Sequence, residues 1–286
     1  MSVLEATETA TEGRPRRRLL YAELRLMSGR TRNLVGLAIL CAIPIVLAII
    51  LAVTRPTGGG DGQAPPFFSI LYGNGLFVVL TSLMMEMTIF LPMAVCILAG
   101  DSIAGEANVG TLRYLLTAPV GRTRLLSVKF ASLVIGAIVG VLAVAVTAAI
   151  IGLSLFGAGE MLTLSGTTLS FGESIGRVAL VCGYVMAMLV SVCAVALFAS
   201  TLTEQPIGAA VGTLMWIILH QILTSLDALS WLHPFLQTTY WANWSGLMRD
   251  PVEWGGVGVG LLSALAYTLV FGSAAWARFT TKDITS

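Results

Sequence analysis

Asn33-Leu34-Val35-Gly36-Leu37-Ala38-Ile39-Leu40-Cys41-Ala42-Ile43-Pro44-Ile45-Val46-Leu47-Ala48-Ile49-Ile50-Leu51-Ala52-Val53 runs for 21 residues without a charged side chain. As an α-helix rising 1.5 Å per residue it is about 32 Å long, close to the thickness of a bilayer's hydrocarbon core. No face of it is polar, so it has no side to offer water. Arg30 and Arg32 precede it and Arg55 follows it, as expected where a span meets the aqueous boundary.

The pattern recurs outward from there. Five further apolar blocks lie at about 73–100, 125–156, 178–200, 207–226 and 254–276. The second sits within Phe67 to Gly100, too long for one upright span, so Pro65 to Tyr72 is assigned to the interface. A closed barrel would instead show alternating strands of about ten residues. Of the 286 residues, 56% are hydrophobic and 11% charged, against about 25% charged in an average soluble domain. The fold class is therefore an all-α integral membrane protein with six transmembrane helices spanning residues 33–277. Gly136, Gly140, Ala143 and Thr147 have the spacing that lets helices approach closely in lipid. Cys41, Cys96, Cys182 and Cys193 fall within spans and read as small buried hydrophobes.

Orientation follows from the basic residues. With the N-terminus in the cytoplasm, thirteen of them lie inside and only Arg55, Arg177 and Arg249 outside, so the positive-inside rule places both termini in the cytoplasm. No cleaved signal peptide is expected, because an acidic stretch precedes the arginines and the first apolar block continues to a full span. The formal charge of +1 gives no reason to expect nucleic acid as a partner. Residues 1–15 read as a flexible cytoplasmic N-terminus and 278–286 as a cytoplasmic tail. Within 16–32, Leu20, Leu24 and Met27 recur at helical spacing while Glu23, Arg25 and Arg30 take other faces. That suits an amphipathic helix in the interface, and the same charges also suit a plain topology signal.

The connection at 101–124 carries the most information. Asp101 or Ser102 can cap a short helix, and Glu106 falls in its early turns. Leu112, Leu115 and Leu116 form an apolar face at i, i+3 and i+4. Pro119 and Gly121 end the helix, and Arg122, Arg124 and Lys129 open the next span. An amphipathic helix held at the inner surface suits docking on a cytosolic partner.

The run Asp101, Glu106, Gly110-Thr111-Leu112, Leu115-Leu116, Pro119-Val120, Arg122 and Lys129 resembles the cytoplasmic loop of the type-2 ABC exporter permeases. The resemblance implies that this loop is a coupling helix between spans 2 and 3, seated in a groove of a separate cytosolic ABC ATPase subunit present in two copies. It also implies a second six-span permease subunit, a homodimer or related heterodimer, and export across the cytoplasmic membrane. Drug, antibiotic, lipid and peptide substrates, multidrug efflux included, all suit apolar helix faces. ATP and Mg would be bound by the partner, because this chain has no Gly-x-x-x-x-Gly-Lys-Ser/Thr loop. No cofactor, metal site or catalytic residue is expected within the chain, and His220 and His233 lack nucleophile or metal partners at usable spacing. A non-transporting membrane scaffold or sensor of the same fold is the alternative.

Two further features stand apart from that motif. Glu86, near the middle of the second block, has no Lys or Arg at comparable depth, although a charged side chain there costs about 2.5–3.5 kcal/mol. It lines a substrate pathway together with Ser82, or makes a structural hydrogen bond to Ser82 one turn away or at a subunit interface. Trp231, His233, Pro234, Phe235, Tyr240, Trp241, Trp244 and Trp254 crowd the connection before the last block. They suit an aromatic belt or a re-entrant segment of the kind found in similar family members.

Overall fold

The structure is a computed structural model that describes residues 15–54, 73–108, 110 and 121–281, with side chains from residue 19 onward. Helices α1 (Pro15–Gly29) and α2 (Thr31–Val53) open the chain, followed by α3 (Leu76–Thr88), α4 (Phe90–Ser102) and the short α5 (Ala104–Asn108). Helix α6 (Arg122–Phe156) leads through strands β1 (Met161–Leu162) and β2 (Thr168–Leu169) to α7 (Phe171–Leu202) and α8 (Pro206–Thr224). Two 3-10 segments, Asp227–Phe235 and Trp241–Met248, precede α9 (Trp254–Thr281). Among the described residues, six helical stretches, one of them formed by α4 and α5 together over Phe90–Asn108, are long and apolar enough to cross a membrane. Apart from the two-residue strands, the described chain is an all-helical, multi-pass membrane fold.

The second apolar block is two helices where the sequence reads as one. They meet at Ile89, whose backbone (φ −140°, ψ −49°) leaves the helical region. Pro92 has no N–H for the carbonyl of Thr88 four residues back, and its ring crowds that carbonyl. Within a bilayer a freed carbonyl has no water to bond, and Gln221 of α8 supplies a partner by donating its side-chain amide to the Thr88 oxygen. The ladder resumes one residue later, where Met93 N–H donates to Ile89 at 2.9 Å.

Helix α7 is the axis of the bundle. Of its most apolar 18 residues 67% are buried, against 17% for the corresponding stretches of α2 and α9, and α9, α4, α6 and α8 all pack on it. A capping box sets its start: Ser170 Oγ accepts from Glu173 N–H at 3.4 Å, and the Glu173 carboxylate accepts from Ser170 N–H at 3.0 Å. Close contact between helices depends on glycine at particular crossings. A Cβ on Gly75 would overlap the backbone of Gly152, so α3 meets the end of α6 main chain to main chain. A Cβ on Gly260 of α9 would overlap the hydroxyl of Tyr184, which donates to the Tyr240 carbonyl at 2.6 Å.

The end of the bundle remote from α1 is closed by local pairing. β1 and β2 form an antiparallel hairpin with Met161 opposite Leu169, and its turn places Gly166 at φ 85°, a conformation glycine adopts without steric cost. Leu164 N–H donates to the Met248 carbonyl at 2.9 Å and Asp250 N–H to Ser165 Oγ at 3.0 Å, fastening the hairpin to the second 3-10 segment. In the aromatic-rich connection Trp241 is buried, whereas Trp231, Phe235 and Trp254 are exposed.

Candidate functional site

Lys129 enters the structure through the first turns of α6, on the face turned toward α1 and α5. It is 0% exposed, although its side chain is one that is almost never fully buried unless paired. The pairing is double: Nζ lies 2.7 Å from Glu106 Oε1 and 3.2 Å from Glu23 Oε1. The two carboxylates are only 15% and 17% exposed. The remote α1 and the two helices that flank the 101–124 connection, α5 and α6, therefore converge on one ammonium group.

A second cluster lies beside the first. Asp101, at the end of α4, takes Arg30 on its Oδ2 at 2.8 Å and also pairs with Arg32 through the same oxygen. The arginines flank the start of α2, so this cluster joins the α1–α2 corner to the base of α4. Between the clusters, α5 is held from the other side. Ile103 and Ala104 donate their backbone N–H groups to Ser200 Oγ of α7 at 3.3 and 3.0 Å, which satisfies N–H groups that a helix start otherwise leaves unpaired. Arg122 Nη1 donates to the Thr280 carbonyl at 2.8 Å, a cation on a free carbonyl in the last turn of α9 where the helix dipole favours it. Trp276 Nε1 donates to Thr123 Oγ1 at 3.0 Å, reinforcing the same corner.

Of the residues that the sequence singles out in the 101–124 connection, the structure places Asp101, Glu106, Gly110 and Arg122. Asp101 and Glu106 sit in the adjoining ion clusters, Arg122 binds the end of α9, and Gly110 has φ 76° just after α5. Thr111, Leu112, Leu115, Leu116 and Pro119 lie outside the described residues, as do 1–14, the segment Pro65 to Tyr72 that the sequence assigns to the interface, and 282–286. Glu23, Arg30 and Arg32 gain a role that their spacing gives no hint of. The only local signal was an acidic residue in an otherwise basic helix.

Glu86 and Ser82 lie together on α3, both 0% exposed. They do not bond to one another: Ser82 Oγ and both Glu86 oxygens lack hydrogen-bond partners among the described residues. A further buried polar group forms where the chain between the two 3-10 segments meets α7 and α8: Gln237 donates its backbone N–H to His220 Nδ1 at 3.3 Å and its side-chain amide to Ser191 Oγ at 2.8 Å. The His220 ring packs on Trp216 with centroids 4.4 Å apart.

The family described as "Protein of unknown function (DUF2705)" matches residues 67–285, most of the chain. No curated protein matches it.

Proposed function

The chain belongs to the DUF2705 family of proteins of unknown function, and from that premise and the site at its basic end we propose that it is the permease subunit of an ATP-driven, type-2 ABC exporter. Both termini and the 101–124 connection face the cytoplasm, α1 lies in the inner interface, and the connection is the coupling helix that docks on a separate ATPase subunit. Two copies of this chain, or this chain and a related one, form the translocation unit in the cytoplasmic membrane.

One observation carries the reading. A motif that resembles the exporters' coupling loop lies between two apolar helices, and both of its flanks are anchored: Asp101 and Glu106 on one side, Arg122 and Lys129 on the other. Pinned flanks are what force transmission requires, because a displacement of the connection then reaches α1, α2, α6 and α9 instead of dissipating in a slack loop. The chain's own residues supply the lever, and nucleotide hydrolysis belongs to the partner.

The test is reconstitution of the chain with its co-purifying ATPase in vesicles, followed by ATP hydrolysis and uptake across a panel of drugs, peptides and lipids. Hydrolysis stimulated by at least one substrate class, with ATP-dependent accumulation, is the expected result. If an ATPase binds but neither stimulation nor transport follows for any class, the scaffold or sensor alternative replaces this one.

A further inference from the structure

An apolar groove runs along the outside of the bundle between α2, α4 and α6. Leu37, Leu40, Leu91, Val95, Leu98 and Gly136 line it, and its volume is about 250 Å³. Arg32 stands at its mouth and also lines an adjoining polar hollow of about 530 Å³, shared with Arg30, Thr31, Asp101, Asn108 and Pro206. Between Arg32 and Leu40 the groove extends roughly 12 Å along α2, at 1.5 Å per residue. One arginine thus marks the boundary between a charged recess and an apolar channel leading away from it.

Around the recess three cations, Arg30, Arg32 and Lys129, meet three carboxylates, Asp101, Glu23 and Glu106, but only the two arginines are open to solvent. Arg30 and Arg32 share the single oxygen Oδ2 of Asp101 and remain 47% and 55% exposed. Glu23 and Glu106 pair with Lys129 and are largely buried, and Glu106 also lies within electrostatic reach of Arg30. The start of α2 has no side-chain cap, so its free N–H groups add positive potential at the same place. Phosphate is the group that two accessible guanidinium groups and a bare helix start bind best.

We propose that this face holds one anionic phospholipid, its phosphate against Arg30 and Arg32 and one acyl chain in the groove between α2, α4 and α6. A free phosphate would use the recess alone and leave the apolar channel without a role. A neutral lipid would use the channel and leave the arginines without one. The bound lipid would brace the α1–α2 corner against α4 and α6, next to the ion clusters that hold the 101–124 connection.

The experiment is native mass spectrometry of the full-length protein, delipidated in mild detergent and then offered equal amounts of phosphatidylglycerol and phosphatidylcholine. One phosphatidylglycerol per chain is expected, in preference to phosphatidylcholine. Gly36→Leu is the filling variant: a Cβ at Gly36 meets nothing within 4 Å, and the residue borders the groove. It should cut retention of phosphatidylglycerol at least about tenfold while elution and thermal unfolding stay as in the wild type. Ala94→Leu fills the channel from α4 and provides the same test should Gly36→Leu not fold. Arg32→Gln should lower the preference for phosphatidylglycerol about fivefold and leave phosphatidylcholine binding unchanged. Equal retention by wild type and both filling variants would overturn the proposal, as would indifference to headgroup charge, retention of inorganic phosphate in place of lipid, or a chain–chain complex that occupies the groove.

Discussion

A lysine that no solvent reaches must be matched by opposite charge, and at Lys129 the match comes from two carboxylates, those of Glu23 and Glu106. Removing one partner of a buried ion pair typically costs about 3–5 kcal/mol, because the remaining charge is left without compensation. Lys129→Met is therefore expected to lower the thermal midpoint in detergent sharply. Glu23→Gln should lower it less, since Glu106 keeps the shorter contact. Equal midpoints for wild type and Lys129→Met would mean that the cluster contributes nothing to the fold. Glu86 is the reverse case, a fully buried carboxyl with no partner among the described residues. Unsatisfied buried polar groups cost about 1–3 kcal/mol each, so Glu86→Met should raise the midpoint. If Glu86 serves transport, the same variant loses it. A fall in stability would instead reveal a structural partner for the carboxyl.

Elements differ in how openly the sequence declares them. The apolar blocks that become α2, α6, α7, α8 and α9 are legible because spanning a bilayer demands a length that few other structures need. The break at Ile89 is less so. Pro92 is visible as a helix breaker, but a proline can also be absorbed in a membrane helix when a neighbour takes the freed carbonyl, and the neighbour here is Gln221, 133 residues away. The ion clusters are illegible for the same reason: Glu23 and Lys129 are 106 positions apart, and no local period links them. Glycine spacing in α6 announces close packing without saying where. The structure puts the closest crossing at Gly152 against Gly75 rather than within the Gly136 to Thr147 stripe. Gly152→Val has nowhere to place its side chain except into the Gly75 backbone, so it should cost at least the roughly 1–3 kcal/mol typical of overpacking. Gly183→Ala, where a Cβ meets nothing within 4 Å, should be neutral. Thermal unfolding of the two variants side by side checks this, and a tolerated Gly152→Val would show that α3 and α6 do not meet as described.

At the scale of the molecule, the two ends of the bundle are built differently. The end bearing the hairpin is closed by backbone and hydroxyl hydrogen bonds, among them Leu164 to Met248 and Thr167 Oγ1 to Asp250 Oδ2. The opposite end is held by ion pairs converging on the flanks of residues 101–124. Helix α6, 35 residues and about 52 Å long, joins the two. Lys129 sits near one of its ends and Gly152 near the other. If the connection docks on an ATPase as proposed, a push on it would be delivered to the base of a helix that reaches the far side of the bundle.

An exporter permease must engage an ATPase through that connection, and the most direct measurement is recovery of ATPase activity with the affinity-purified chain from its native membranes. Leucines buried in a protein groove cost about 2–5 kcal/mol when truncated to alanine, which is more than tenfold in binding. Leu115→Ala and Leu116→Ala are accordingly predicted to reduce the co-purified activity by at least tenfold at unchanged membrane insertion, while Leu164→Ala, an exposed leucine in the hairpin turn, leaves it intact. Undiminished co-purified and substrate-stimulated hydrolysis in both loop variants, or no ATPase activity with the wild-type chain, would contradict the assignment of this chain as an exporter permease.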